Sequence, residues 1–478
     1  MLLALLACID PATYGAVPDD HKDDAPAFQR AVDEAIESHA DVCIGPGVWN
    51  LARRPGHVGA IDVTGGPIAL RGAGARTVLR LTGPGQHRDW RILYVKNAHD
   101  VVIRDLTLDA LDASDTEEQT HLIELAPGTH DVVIGNVTFG PMRRPDQRVG
   151  QGVGGDCIRM LGEPGHEVAD VVIADSTFVD CDRSGVGFQR ALRDIALVRD
   201  TIRNTGDTAI DFEPTGRGAI EDVAMVDLTI AHPPLAQCAW AITLGGIGAD
   251  LASRLLIERA TIEGGGIGML NVADVEIADS LITSHPRAGA KPTISMIRRA
   301  SRVALRRNTI TRDASSDPGF VIRAAHNNGL APSGLTIEGN TLRQATAHPV
   351  IGALSASAVA VRDNVIDYTA GDASVVVVQA SAVIADITGV TIERNEVRGQ
   401  VAGLVTASRR GNHTVGGVAL HGNRGAGEAV RCNGADLHPD GAAVGSGAVT
   451  CGAPLPPGQP ASRSTAKATG ITLEGSGS

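Results

Sequence analysis

DVVIRDLTLDA (Asp100–Ala110) contains two short runs of alternating apolar and polar residues, separated by the polar dipeptide Arg104-Asp105. The phrase returns as DVVIGNVTFGP from Asp131, DVVIADSTFVD from Asp170, DIALVRDTIRN from Asp194 and DVAMVDLTIAH from Asp222. It continues as LLIERATIEGG from Leu255, DVEIADSLITS from Asp274 and RVALRRNTITR from Arg302, and weaker copies run to GVTIERNEVRG at Gly389–Gly399. A Gly/Asp/Ser-rich turn and a further short strand follow the copies, as in HLIEL, DCIRM, GVGFQ, AIDFE and AITL. Strand after strand without helical periodicity between them excludes βαβ units. An irregular period of about 20 to 40 residues points to a solenoid. The expected architecture is all-β, a single-stranded parallel β-helix in which every strand pairs with its equivalents in the coils on either side.

The exposed end of such a stack needs a cap. DDAPAFQRAVDEAIES supplies a helix with Asp24 at its N-cap, Pro26 in its first turn and Phe28, Val32, Ala35 and Ile36 as one apolar stripe. We therefore expect a signal remnant at 1–8, a cap region at 9–60, the β-helix at 61–425 and a loop with a disordered tail at 426–478.

Composition fits stacked short strands: 57 glycines among 478 residues, and 3% aromatics within a 43% hydrophobic fraction. A formal charge of -13 without a Lys/Arg run excludes a nucleic-acid surface. MLLALLAC is too short to span a bilayer and lacks a basic leader. It reads as the remnant of an export signal, and LLAC also resembles a lipobox that would lipidate Cys8, so the expected location is secreted or cell-surface. The other six cysteines show no zinc spacing, and Cys432 and Cys451 stand out as a local pair.

DPATYGAVPDDHKDDAPAFQRAVDEAIES (Asp10–Ser38), then DVCIGPGVWNLA and IALRGAGARTVLRL, resembles the N-terminal signature of the rhamnogalacturonase/epimerase-like pectate lyase superfamily. The resemblance implies a right-handed helix of the pectin lyase fold and activity on a polysaccharide. Its hydrolase branch, similar to polygalacturonases, relies on NTD, GDD, GHG and RIK motifs. Here GGDCIRM offers Asp156 and NTGD offers Asn204, Thr205 and Asp207, whereas GHG is absent and His421 lies far along the chain. The lyase branch implies an Arg or Lys base, for which Arg159 and Arg190 are the candidates, with calcium as a candidate ligand of Asp156, Asp180, Asp182 and Asp207.

Candidate site residues come from aligning the strands that follow each turn. With Ile158, Met160, Ile210 and Phe212 inward, alternation turns Arg159, Asp211 and Glu213 outward. One outward column then reads Glu124, Arg159, Gly187, Asp211, Thr243, and the next holds Gln189 and Glu213. Asp211 and Glu213, two positions apart, have Cα atoms about 6.5 to 7 Å apart, which suits the acid and base of a glycosidase. An outward carboxylate can simply be solvated, but Glu124, Asp156, Arg159, Gln189, Arg190, Asp211 and Glu213 converge on one face.

These residues predict a monomeric glycoside hydrolase with Asp211 and Glu213 as acid and base, supported by Asp156 and Arg159. Glu124, Gln189, Arg190 and Trp240 would bind the glycan, with no required cofactor, no nucleic-acid partner and no transmembrane segment. His121 and His166 are weaker acid/base candidates. A uronan lyase or epimerase, and a non-catalytic adhesin built like a phage tailspike, are the alternatives.

Overall fold

A computed structural model describes residues 8–451 except 84–89, 114–118, 143–153, 215–217, 233–239, 247–251, 286–290, 315–318, 370–372, 381–386, 402, 409–414, 426–429, 433–434 and 438–446. The expectations for 1–7 and for 452–478 lie outside the described residues. Two units are distinguished, the first reaching Leu256 and including Ala260–Ile262, the second running from Glu263 and including Ile257–Arg259.

In each unit the repeated phrase forms two strands joined at a corner, and the strand after the turn completes the coil. The corner residue adopts a left-handed backbone: Asp175 (φ 54°), Arg199 (φ 57°) and Asp227 (φ 57°) in the first unit, and Asp279 (φ 51°), Arg307 (φ 54°), Asp363 (φ 57°) and Arg394 (φ 50°) in the second. Non-glycine residues rarely take this conformation. Here, at one corner after another, an arginine forms a two-pronged bridge to the corner aspartate one coil earlier. Arg199 binds Asp175 at 2.7 and 2.7 Å, Arg307 binds Asp279 at 2.8 and 2.6 Å, and Arg394 binds Asp363 at 2.7 and 2.8 Å.

The residue after these corners points inward, and in the second unit an asparagine there carries the stack's second device. In the second unit it is Asn308, Asn340, Asn364, Asn395 and Asn423. Each amide oxygen accepts the backbone N–H of its counterpart one coil earlier, as in Asn308 N to Asn340 Oδ1 at 2.8 Å. Each amide nitrogen reaches a carbonyl of that earlier coil, as in Asn308 Nδ2 to Ile277 O at 2.7 Å. Buried backbone groups that a tight corner would otherwise strand are thereby satisfied.

Six strands of the first unit carry the site face: β1 (Trp90–Ala113), β2 (Thr120–Leu125), β3 (Ile158–Leu161), β4 (Val186–Gln189), β5 (Ile210–Glu213) and β6 (Trp240–Leu244). Their pairing is parallel, with Ile123, Ile158, Val186, Ile210 and Ile242 in one register and all buried. The few aromatics stack inside: Phe139 on Phe178 at 4.6 Å and Phe188 on Phe212 at 4.5 Å between ring centroids. Burial of each such side chain contributes about 1.5–3 kcal/mol.

The cap forms as α1 (Ala25–Ser38), and its Phe28 meets Trp49 edge-on at 5.4 Å. Asp24 occupies the N-cap position, but its carboxylate accepts the N–H groups of Val17 (2.9 Å) and Asn50 (3.1 Å) instead of capping the helix. It ties the cap to the first coils. Cys8 is bonded to Cys43 with Cα atoms 5.7 Å apart, which leaves no free sulfur there for a lipid. Strands also occur beyond residue 425, at Val430–Cys432, Ala435–Leu437 and Gly447–Cys451.

Asp200 holds the inward corner position in the first unit. It accepts the N–H groups of Ser176 (2.8 Å) and Val198 (3.1 Å), yet burial pushes its carboxyl up to about 7 against those bonds. A raised value means that its stabilisation is complete below the unfolded pKa of about 4 and is lost as pH rises through about 7. Asp200→Asn should keep both acceptor bonds and add a donor toward Ile173 O, the place an asparagine reaches in the second unit. Urea unfolding at pH 7.5 should show the variant more stable by on the order of a few kcal/mol, with the difference shrinking toward pH 4.

Candidate active site

Register assembles the site. Tyr94, Glu124, Arg159, Gly187, Asp211 and Thr243 are paired positions on β1 to β6, and Leu161, Gln189 and Glu213 form the column beside them. The expected columns are therefore present, with Ile158, Met160, Ile210 and Phe212 inward and buried.

Arg183 organises the carboxyls. It lies in the turn before β4, and its Nε donates to Asp156 Oδ1 at 3.0 Å. Its Nη2 donates to Asp211 Oδ2 at 3.4 Å and stands 3.0 Å from Glu213 Oε2. A single guanidinium thus holds three carboxyl groups from two coils. Thr243 donates its hydroxyl to the other oxygen of Asp211, and Gln189 donates to Glu213 Oε2 at 2.7 Å.

A second arginine layer lies beside it. Arg91 and Glu124 are both nearly buried and meet at 2.7 Å (Nε) and 2.5 Å (Nη2). Arg159 stands 3.6 Å from the same Glu124 oxygen, donates to Gln189 Oε1 at 3.0 and 2.7 Å, and also donates to Gln119 Oε1. Gln189 accepts from Arg159 and donates to Glu213, so the two layers are one hydrogen-bond network.

Burial sets the proton inventory. It pushes the carboxyl of Asp211 up, with the charge of Glu213 adding to the effect, while Thr243 and Arg183 pull it back. The result is a value of about 7. Asp156 is likewise raised by burial, against the attraction of Arg183. His121 is held well below its ordinary value by burial and by Arg91 and Arg159. Its Nδ1 lies 3.1 Å from the backbone N and 3.3 Å from the carbonyl O of Asp156. His121 therefore positions the Asp156 turn. Side-chain exposure falls from Glu213 (34%) through Asp211 (15%) and Arg183 (11%) to Asp156 (1%), which makes Glu213 and Asp211 the members a ligand meets first.

Gly187 makes room in the column for a neighbouring carboxylate. A Cβ there would stand 2.5 Å from Asp156 Oδ2, so the missing side chain is what admits the Asp156 carboxylate. The turns carrying Asp156 and Arg183 are stapled by the Cys157–Cys181 disulfide, with Cα atoms 5.5 Å apart.

Other expected residues stand apart from this network. Arg190 binds Glu163 at 3.2 Å on an exposed edge. Trp240 opens β6 and is half-buried. Asp180, a candidate calcium ligand, accepts a hydrogen bond from Asn204. Among the described residues no group of three or more His, Cys, Asp or Glu side chains is gathered for a metal ion. Arg91, Gln119 and Arg183 were not anticipated, because they come from strand ends and turns where no alternation marks a face.

Neither a protein-family model nor a curated protein matches the sequence. Solved structures do match. The A-module of an Azotobacter vinelandii mannuronan C-5 epimerase aligns over 88% of this chain and 100% of its own, with TM-score 0.55 at 15% identity. A mutant tailspike of E. coli bacteriophage HK620, in complex with a pentasaccharide, aligns over 84% of this chain and 76% of its own, with TM-score 0.54 at 13% identity. Tailspike protein 3 of bacteriophage CBA120 aligns over 88% and 62%, with TM-score 0.53 at 10% identity. The chain has the right-handed parallel β-helix fold. At these identities the likeness is one of fold.

Gly187→Ala tests the packing of the site. The added methyl group should displace the Asp156 carboxylate from Arg183 and cost about 1–3 kcal/mol by overpacking. Chemical denaturation measures the cost, and a crystal structure of the variant should show a longer Asp156–Arg183 contact.

Proposed function

We propose that this protein is a polysaccharide-active enzyme that hydrolyses glycosidic bonds at the outward columns of β3 to β6. The observation that carries the reading is one carboxyl group, Asp211, poised near neutrality two residues from a second, more exposed one, with an arginine network beneath both. A carboxyl that keeps its proton near neutral pH, beside a second carboxyl open to solvent, is what acid/base cleavage needs. Asp211 in its protonated form gives its proton to the departing glycosidic oxygen. Glu213 takes a proton from the attacking water. Arg183 keeps the two groups in place, and Arg159 binds hydroxyl or carboxylate groups of the glycan. Acid and base are both side chains of this protein, so the reading calls for no cofactor.

The solved structures that share the fold include a mannuronan epimerase and a pentasaccharide-bound tailspike, which supports a carbohydrate ligand. A second reading, elimination or epimerisation of a uronan, is favoured by Arg159, whose affinity for its proton is lowered by burial. In that reading Arg159 removes a proton next to the sugar carboxylate. Disulfides at Cys8–Cys43 and Cys157–Cys181 support a secreted or cell-surface location, since such bonds persist in oxidising compartments. No described helix is long and apolar enough to cross a membrane. We take the working form to be a monomer; a stable trimer would favour the adhesin reading.

The test is a polysaccharide panel assayed for new reducing ends and for unsaturated-uronate absorbance. Hydrolysis predicts reducing ends without absorbance. Asp211→Asn and Glu213→Gln should each lower kcat by about 10²- to 10⁴-fold. Because Asp211 acts protonated, wild-type activity should fall as pH rises through about 7, and the residual activity of Asp211→Asn should lack that limb. Undiminished turnover in both variants would remove the pair, and absorbance would move the chemistry to Arg159.

A further inference from the structure

The second unit repeats the outward column with different contents. Its third strands β7 (Gly266–Leu270), β8 (Ile294–Ile297), β9 (Ile322–Ala325) and β10 (Ile351–Leu354) place Gly268, Ser295, Arg323 and Gly352 in register. Where the first unit's column sets Arg159 among carboxylates, this one holds an arginine with no carboxylate beside it in the column.

Arg323 is half-buried, and among the described residues its side chain makes no hydrogen bond or ion pair, its buried Nε included. It contrasts with Arg302, Arg307 and Arg394, each of which grips an aspartate with two prongs. Burial lowers its proton affinity and no carboxylate acts in the opposite direction. Ser295, its neighbour in the column, is 1% exposed, and its Oγ also lacks a partner. A desolvated cation and a desolvated hydroxyl side by side both destabilise the fold unless something satisfies them.

The other side of Arg323 is apolar. A Cβ at Gly352 would fall 2.7 Å from the ring of Phe320, so that ring covers the adjoining position of the column. His348 meets Phe320 edge-on, with centroids 4.4 Å apart. A planar oxyanion satisfies a guanidinium fork and a hydroxyl together. The apolar face of a pyranose ring suits Phe320.

We propose that the second unit carries a binding subsite for an acidic sugar, in which Arg323 and Ser295 hold the carboxylate and the Phe320–His348 pair receives the ring. The sugar half of this assignment rests on the carbohydrate reading above; the anion half rests on the column alone. Arg323 is retained for its ligand at a cost to the free protein, which is common where binding groups are desolvated in advance.

Calorimetric titration of the full chain tests it, with tetragalacturonate, its methyl ester and inorganic sulfate as probes. Arg323→Gln should bind tetragalacturonate about 10- to 100-fold more weakly than wild type, the worth of a charged hydrogen-bond pair. Arg323→Lys should fall between them, and the methyl ester should bind all three chains equally weakly. Arg323→Gln should melt no lower than wild type, since it loses no internal partner; this separates lost binding from lost folding. Unchanged affinity of a folded Arg323→Gln overturns the site. Sulfate binding wild type as tightly as tetragalacturonate overturns the sugar assignment. The hydrolytic reading fails independently: full turnover in Asp211→Asn and Glu213→Gln refutes it while leaving an Arg323-dependent titration standing.

Discussion

Left-handed corners are the constraint on which the structure depends. Each coil must turn within one residue, and the residue that turns it leaves its neighbours' backbone groups to be satisfied by the next coil. Asparagine amides inside meet that demand, as at Asn308–Asn340, and arginine–aspartate bridges outside tie successive corners together, as at Arg307–Asp279. Both devices work only when successive coils are in register. A slip of one residue would turn every core side chain outward. The corners therefore also place Glu124, Arg159, Gly187, Asp211 and Thr243 in one column.

Charge within the site is governed by burial. Arg91, Arg159 and Arg183 face Glu124, Asp156, Asp211 and Glu213, three guanidinium groups against four carboxyl groups. A network this close to balance can be sequestered from water without an isolated charge. It also explains why Asp211, buried, with the Glu213 charge close by and only a partial hold from Arg183, keeps its proton up to about 7. The second unit lacks that balance at Arg323, and there the outstanding charge is positive.

Much of this was legible in the sequence, because alternation reports which side chains share a face. Placing Ile158, Met160, Ile210 and Phe212 inward was enough to align Asp211 with Arg159 and Glu213 with Gln189. The corner phrase was equally visible, though its meaning was not: in Arg199-Asp200, Arg307-Asn308 and Arg394-Asn395 a left-handed residue is followed by an inward ladder residue, whereas in the AD and GN copies the second residue is itself the left-handed corner. Turns were the opaque part. Arg183 and the Cys157–Cys181 bond belong to connections whose length varies from coil to coil, so no period predicts what they touch. Arg190 was drawn into the site by its nearness to Gln189, but its left-handed backbone (φ 65°) directs it to Glu163 instead.

The central claim is that register and burial together give Asp211 a proton near neutral pH. Carbon-13 carboxyl chemical shifts of aspartate-labelled protein, followed from pH 3 to 9 and assigned by the signal missing in Asp211→Asn, measure it directly. A midpoint near 7 is the predicted result. A midpoint in the ordinary aspartate range of about 4 would contradict the account, because it would mean that Arg183 outweighs burial and that the pair holds no acid.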